Sequence, residues 1–181
     1  MFFSSWLTQS IHGRRKLAIA GLLSWIFCAG CGQADVAANN QYSRDRLDAM
    51  QTARITVDGQ TFEVWLATNR QQREKGLMEV TEEQLAPVSN SVYRGMLFVF
   101  PDEQDLAFWM LNTITPLDIA YINGAGRIVR TYTMAPLETR LYHSVEPARF
   151  ALEVRAGLFE QLGIAAGDQV DIDSSLADSA Q

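Results

Sequence analysis

The residues best suited to chemistry lie in one apolar, aromatic-rich stretch of the sequence. Trp109 is followed by Asn112 and Thr113, and Asp118 lies in a run that is otherwise apolar. A buried polar group without a hydrogen-bond partner costs about 1–3 kcal/mol, so the fold must satisfy these side chains. Two interpretations stay open. Either the three polar residues complete loops through side-chain-to-backbone hydrogen bonds, which Asn, Thr and Asp form readily, or they form the polar floor of a ligand cleft beside the Trp109 ring.

A further acidic candidate is Glu153, which alternates with apolar residues in a predicted strand. Because neighbouring side chains of a strand point to opposite faces, we expect Glu153 on the solvent side, paired with Arg149 or Arg130. A sharper hypothesis places Asp118 and Glu153 face to face as a carboxylate pair. Such a pair could perform acid–base catalysis on a glycosidic bond, provided that the carboxyl groups lie within about 9.5 Å of each other.

Other catalytic constellations find little support in the sequence. His143 is the only histidine after residue 30, so we expect no histidine-based metal centre. The sequence has no Gly-x-Ser-x-Gly motif and no Asp-x-Asp-x-Asp-Gly calcium loop. Gly124-Ala125-Gly126 precedes a predicted strand and not a helix, so we interpret it as a hairpin turn and not a phosphate-binding loop. We therefore expect no cofactor and no metal, and we assign no catalytic residue.

The first thirty residues have the pattern of a bacterial lipoprotein signal. A basic cluster at Arg14-Arg15-Lys16 precedes an uncharged apolar run, Leu17 to Phe27, that is too short for a stable membrane span of about 20 residues. The run ends in Cys28-Ala-Gly-Cys31, which resembles a lipobox with Cys28 in the usual leucine position. A Cys-x-x-Cys redox pair is the weaker alternative, because such pairs belong inside a folded domain. We expect acylation of Cys31 and attachment to the cell-envelope membrane, facing the periplasm or the exterior.

Charge limits the class of partner. Without residues 1–30, 12 Lys and Arg remain against 21 Asp and Glu, which is a net charge of −9. An acidic chain of this kind is not expected to bind nucleic acid. The expected partners are the membrane, through lipid on Cys31, and an envelope ligand or protein that the sequence does not specify.

The pattern of the remaining chain is mostly that of short strands. Asp58-Gly59 and residues 123–126 each separate two strand-like segments, as in β-hairpins. Thr68 and Gln71 resemble a capping box for a short helix over residues 69–75. About seven strands and two or three short helices predict a mainly β fold, an antiparallel sandwich or jelly-roll-like barrel. We assign residues 1–30 to the signal, 31–51 to a flexible tether, 52–173 to a single domain and 174–181 to a frayed tail.

Several short motifs follow one another in a characteristic order between about Thr52 and Asp173. They are Gly76-Leu-Met78, Gly95-Met-Leu-Phe-Val-Phe100, Phe108-Trp-Met110 with Asn112-Thr113, Pro116-Leu-Asp-Ile119, Gly126-Arg-Ile-Val129, Ala148-Arg-Phe-Ala-Leu-Glu-Val154, Ala156-Gly157 and Gly167-Asp-Gln-Val170. In this respect the chain resembles the family catalogued as domain of unknown function 192. The resemblance implies a compact, mostly β fold of jelly-roll-like type and no established reaction. The chain departs from the family pattern at Val80, Leu111 and His143, where arginine, lysine and proline are common.

Together these features favour a lipid-anchored envelope protein that acts as a non-catalytic binding or accessory module. The candidate cleft residues are Trp109, Asn112, Thr113, Asp118 and Glu153. The alternative is a carboxylate-dependent hydrolase that acts on a cell-wall or glycan substrate. A purely structural partner of another envelope protein is a third option.

Overall fold

The computed structural model describes residues 31–180, which contain four helices and nine strands. The helices are α1 (Cys31–Asp48), α2 (Arg70–Lys75), α3 (Leu158–Leu162) and α4 (Ser174–Ala177). The strands are β1 (Thr52–Val57), β2 (Gln60–Ala67), β3 (Val92–Gln104), β4 (Ala107–Phe108), β5 (Leu117–Ile122), β6 (Ile128–Met134), β7 (Tyr142–His143), β8 (Ala148–Arg155) and β9 (Val170–Asp171). The prediction of a mainly β fold is confirmed. No helix in this part of the chain is long and apolar enough to cross a membrane.

Seven strands form one curled sheet in the order β6-β5-β8-β3-β2-β1-β9, while β4 and β7 form a separate pair. Neighbouring strands of the sheet are antiparallel except β2 and β3, which run parallel. The sequence pattern predicts an antiparallel arrangement of strands, and for the β2–β3 pair that expectation is wrong. Parallel neighbours need a crossover of a dozen residues or more. Residues 68–91, with the six-residue helix α2, provide it.

Two apolar clusters lie on opposite faces of the sheet. The inner core contains Val170 from β9 and Ile128 from the start of β6, although these strands are the two edges of the sheet. Side chains from both edges meet in this cluster because the sheet curls around it as a half-barrel. The outer core lies on the other face, under α2, the loop that follows it and the β4–β7 pair. The central strands β5 and β8 are consequently buried on both faces.

The edges of the half-barrel are joined at one end. Gly126 and Val170 form a hydrogen bond of 2.8 Å from the amide of Val170 to the carbonyl of Gly126, and Arg127 forms a bridge with Gln169. Gly126 has a φ of +80°, and a Cβ atom here would lie 2.6 Å from the Val170 carbonyl oxygen. Only glycine allows this approach without a backbone shift.

The segment that the sequence pattern assigns to a tether is helical in the structure. Near the end of α1, Ser43 and Leu47 are buried, and the Arg46 guanidinium donates to the carbonyl oxygens of Gly76 at 2.9 Å and Met78 at 3.4 Å. The segment has few apolar residues, so its sequence shows no amphipathic stripe. Its attachment to the domain combines Leu47, which packs in the outer core, with polar side chains that reach backbone carbonyls.

The C-terminal segment also contains local order. The Asp173 carboxylate accepts a hydrogen bond from the Ser175 amide at 2.8 Å, which caps α4. The Arg149 guanidinium donates to the Ala177 carbonyl at 3.0 Å. A helical turn therefore stands where the sequence predicts a frayed tail.

Candidate functional site

A cleft of about 330 Å³ opens over the outer core, between α2 and strands β3, β4 and β8. This volume lies at the lower end of the range for small-molecule sites. Its wall on the helix side consists of Arg70, Arg73, Glu74, Lys75, Gly76, Leu77 and Met78. The sheet side consists of Phe98, Phe100, Ala107, Phe108, Trp109, Thr113 and Glu153. Three of the five residues predicted for a ligand cleft, Trp109, Thr113 and Glu153, thus lie at one place.

Glu153 forms part of the cleft floor, and the prediction that it faces solvent is wrong. It lies opposite Met96 of β3 and Ile119 of β5, and the residue is 4% exposed. Alternation along β8 does point Glu153 away from the inner core. Because β8 is a central strand with a second core on its other face, that direction leads into the outer core and not to water.

Burial controls the charge of Glu153. Removal of the carboxyl group from water disfavours its ionised form and raises its pKa from 4.5 to about 8. Within residues 31–180, which the structure describes, no hydrogen bond or ion pair reaches this carboxyl group. At neutral pH it is therefore a protonated acid with one donor and free acceptor capacity.

Asp118 has a different environment from Glu153. It lies opposite Val154 of β8, one residue from Glu153, so the two side chains point to opposite faces of the sheet. One Asp118 oxygen accepts from the Thr133 hydroxyl at 2.7 Å and the other from the Phe159 amide at 3.0 Å. Asp118 thus ties β6 to the first turn of α3. The hypothesis of a facing Asp118–Glu153 pair is wrong.

Asn112 does not line the cleft. It is exposed, it has a φ of +56°, and its carbonyl accepts a hydrogen bond from the Glu79 amide at 2.9 Å. Asn tolerates this left-handed conformation better than most residues. The polar residue at position 112 is explained by a turn that joins two loops.

Thr113 combines the two roles that its sequence position allows. Its carbonyl accepts from the Leu137 amide at 3.0 Å, which connects the loop after β4 to the loop before β7. Its side chain is buried and lines the cleft, and its hydroxyl group makes only a long contact of 3.4 Å with the Leu111 carbonyl.

Aromatic rings form the apolar part of the cleft. Phe108 packs edge-to-face against Phe98, with ring centroids 4.9 Å apart, and against Phe100 at 6.4 Å. These contacts hold the rings in place before any ligand arrives. Trp109 follows Phe108 in the chain but remains 48% exposed, beside the opening. A large exposed indole next to a cleft is available for contact with a ligand.

Sequence reasoning missed the basic residues of the cleft. Arg70, Arg73 and Lys75 all come from α2. Arg70 pairs with Glu74 at 2.7 Å, and Lys75 pairs with Glu79 at 2.8 Å. Arg73 donates to the carbonyls of Thr68 and Val99 and lies over the Phe100 ring. The available signal was the run of cations in a short helix, but the crossover that brings α2 to the cleft was not predicted.

The cleft does not resemble a metal centre in its donor set. Within residues 31–180, no three His, Cys, Asp or Glu side chains come close enough to hold a metal ion together. Its polar groups are one neutral carboxyl, one hydroxyl, one paired carboxylate and three cations. These groups are suited to hydrogen bonding and to attraction of an anion.

Comparison with known proteins agrees with the fold and leaves the ligand open. A crystal structure of a protein of unknown function from Novosphingobium aromaticivorans is 28% identical, with a TM-score of 0.62 over 70% of this chain and 89% of that one. A Sinorhizobium meliloti protein described as a "putative transcription regulator" is 30% identical, with a TM-score of 0.59 over 67% of this chain and 94% of that one. No functionally curated protein matches the chain.

A family profile matches residues 53–172, which is most of the described chain. The matched segment includes β1, the crossover, every strand that lines the cleft and β9. The chain therefore belongs to the DUF192 family, described as an uncharacterized ACR.

Proposed function

We propose that this protein is an envelope-associated, lipid-anchored binding module whose cleft takes a small anionic ligand with an apolar ring. The observation that carries the proposal is the buried carboxyl of Glu153, which has no partner in the described chain and lies on the floor of an aromatic cleft. The carboxyl group opens onto the cleft but is largely removed from water, so its hydrogen-bonding capacity is available to a ligand. A ligand that supplies the partner gains a hydrogen bond in a site with little competing solvent.

The charges around the cleft support an anionic ligand. Three basic side chains and Glu74 line it, while Glu153 is neutral at pH 7. With Glu79, the ion-pair partner of Lys75, the local balance is three cations against two carboxylates, in a chain whose net charge is negative. A positive patch of this kind raises the local concentration of anions. Existing ion pairs hold Arg70 and Lys75 near the opening, which limits the ordering that binding requires.

Binding is favoured over catalysis by the geometry of the carboxyl groups. A two-carboxylate hydrolase needs its two carboxyl groups to face each other across the scissile bond, within about 9.5 Å. Asp118 is on the other face of the sheet and is engaged by Thr133 and Phe159. Glu74 is the other carboxylate of the cleft, and it is paired with Arg70 at the exposed rim. The arrangement of Glu153 supports recognition more directly than bond cleavage.

The description of the Sinorhizobium relative raises nucleic-acid binding as a different role. The chain beyond residue 30 carries a net charge of −9, which opposes association with a polyanion. The cations of the cleft are few, and all three come from the six-residue helix α2 on one wall of the pocket. We therefore propose a small-molecule ligand and no nucleic acid.

A binding screen tests the proposal. Purified protein is mixed with small ring carboxylates, and binding is followed by fluorescence of the exposed Trp109. Arg70→Ala should weaken binding of the best ligand about threefold to tenfold, because it removes a rim charge. Arg54→Ala is the matched control: Arg54 is also exposed and paired with a glutamate, Glu63, but lies on β1 outside the cleft. Equal effects of both variants, or no carboxylate that binds, would contradict the proposal.

The envelope location is tested separately. Acylation attaches chains that each contribute about 0.8 kcal/mol per buried CH₂, and two or more chains hold a protein on a membrane. Cys31→Ser should therefore move the protein from the membrane to the soluble fraction. Cys28→Ser, three residues earlier, should leave it in the membrane fraction. If Cys31→Ser leaves the protein in the membrane fraction, lipid anchoring at this residue is refuted.

A further inference from the structure

We propose that Glu153 selects the ligand by donating a hydrogen bond, and that the ligand is a ring carboxylate with a carbonyl group on the side opposite its carboxylate. This inference rests on the proposed function and deepens it. The proposed function requires only an anion and a ring. The inference adds a neutral acceptor at a defined end of the ligand.

The polar groups of the cleft lie at different depths, and this difference determines which end of a ligand enters first. Glu153 is 4% exposed, whereas the side chain of Arg70 is 88% exposed and Lys75 is intermediate. The carboxyl group therefore lies at the floor and the cations lie towards the opening. A ligand that satisfies both has its neutral acceptor inside and its anionic group outside.

The middle of the cleft is apolar. Phe98 and Phe108 line the cleft beside Glu153 and pack edge-to-face, and Trp109 adds an exposed indole. Aromatic rings bind best to other flat or apolar groups. A volume of about 330 Å³ accommodates a single substituted ring with room for water. These features define a ligand with a polar group at each end of one ring.

The ionisable groups around Glu153 leave its proton in place at neutral pH. From β5, Tyr121 approaches the carboxyl group; burial raises the pKa of Tyr121, and its hydroxyl donates to the Tyr142 carbonyl at 2.6 Å. The helix α2 contributes Arg70, Arg73, Glu74 and Lys75, and β7 carries the exposed His143 beside β4. None of these side chains forms a hydrogen bond or ion pair with the carboxyl group of Glu153.

A neutral carboxyl group discriminates more sharply than an apolar floor would. It has one hydroxyl donor, and a ligand without an acceptor leaves that donor buried and unpaired. Sites built to hydrogen-bond a ligand reject analogues that lack the group much more strongly than apolar sites reject a change of size. Once Glu153 loses its proton, it can no longer donate, and its negative charge repels a carbonyl oxygen.

A matched pair of probes tests the inference on the purified full-length chain. The probes are 4-acetylbenzoate and 4-isopropylbenzoate, which have nearly the same shape and the same carboxylate, but only the first has a carbonyl. Their dissociation constants are measured by ligand-observed NMR titration at pH 6.5 and pH 9. Any effect of pH on the cations near the opening acts on both probes. The ratio of the two dissociation constants therefore reports the contribution of the Glu153 carboxyl group alone.

In the unmodified chain at pH 6.5, we expect 4-acetylbenzoate to bind about tenfold more tightly than 4-isopropylbenzoate, since one hydrogen bond contributes up to about 1.5 kcal/mol. The ratio should fall towards one at pH 9. Glu153→Gln keeps a donor that does not titrate, so its ratio should persist at both pH values. Glu153→Met has a similar length and no donor, so its ratio should be near one throughout. Thermal unfolding of each variant establishes that it is folded.

Three other results would overturn the inference, each with a different meaning. Equal binding of both probes at both pH values removes the role of Glu153 but leaves the proposed function intact. Failure of both carboxylates to bind removes the proposed function and the inference together. If benzyltrimethylammonium binds more tightly than both benzoates, and most tightly at pH 9, an ionised Glu153 recognises a cation.

Discussion

Asp118 and Glu153 are two buried carboxyl groups, one register position apart on adjacent strands, with different consequences. Both residues are at most 4% exposed. Asp118 faces the inner core and accepts two hydrogen bonds, one of them from the first turn of α3. Glu153 faces the cleft and accepts none within the described chain. Burial alone therefore does not mark a functional acid; the presence or absence of partners separates the two.

The comparison also explains how the fold tolerates each group. The amide and hydroxyl donors at Asp118 satisfy both of its carboxyl oxygens in place of water. Glu153 has no such donors, so its carboxyl group stays protonated. A neutral carboxyl group costs less free energy to bury than an ionised one. The protein thus contains one acid with a structural role and one acid whose hydrogen-bonding capacity is unused in the absence of a ligand.

The largest effect that would test this comparison is the pH dependence of stability. The pKa of Glu153 is about 8 in the folded chain against 4.5 as its ordinary value. The folded state therefore binds the proton more tightly than the unfolded state between these values. This contribution to the free energy of unfolding is complete below about pH 4.5 and is lost as pH rises to 8, by roughly 5 kcal/mol.

Glu153→Gln isolates that contribution, because glutamine has the same shape and does not titrate. The difference in free energy of unfolding between the variant and the unmodified chain should shift in favour of the variant from pH 4.5 to pH 8. Urea unfolding at a series of pH values measures it. A difference that stays constant across this range would show that Glu153 is ionised in the folded chain.

The second test removes the structural acid. Asp118→Ala should lower the free energy of unfolding by about 3 kcal/mol, because it leaves the Phe159 amide and the Thr133 hydroxyl without their acceptor. Thr133→Val removes one of the two bonds and should cost about 1 kcal/mol. Both values come from urea unfolding at pH 7. If Asp118→Ala is no less stable than Thr133→Val, the two-partner account of Asp118 fails.

Local structure was largely predictable from the sequence. Asp58-Gly59 forms the hairpin turn between β1 and β2, with positive φ at both residues, as the dipeptide indicates. The helix predicted over residues 69–75 is α2, although its cap is Asn69, which accepts from the Gln72 amide at 2.9 Å, and not Thr68. Capping signals at neighbouring positions compete, so an error of one residue is understandable.

The site was less predictable because it depends on long-range arrangement. The period of β8 correctly separates Glu153 from the inner core, but a sequence does not show whether the other face of a strand meets water or a second core. That second core exists because the crossover with α2 and the β4–β7 pair cover the sheet. The cations of α2 reach the cleft by the same crossover. The hydrophobic period of a strand shows which of its side chains share a face, but it does not show which other elements pack against that face.

A smaller effect than that of Asp118→Ala is expected at the wall of the cleft. Gly76 and Met78 line the cleft, and their carbonyl oxygens accept hydrogen bonds from Arg46 of α1. Arg46→Ala should lower the free energy of unfolding by about 1–2 kcal/mol, because these bonds are partly buried and charged.

Arg44→Ala is the matched control, since Arg44 lies on the same helix and makes only an exposed ion pair of 3.7 Å with Glu83. Exposed pairs contribute about 0–1 kcal/mol, so this variant should be close to unchanged in urea unfolding. If the two variants are equally stable, α1 does not support the cleft wall. If only Arg46→Ala is destabilised, the comparison between the two acids extends to their surroundings: the inner face is completed by the half-barrel itself, whereas the cleft face requires an added helix that is held by polar contacts.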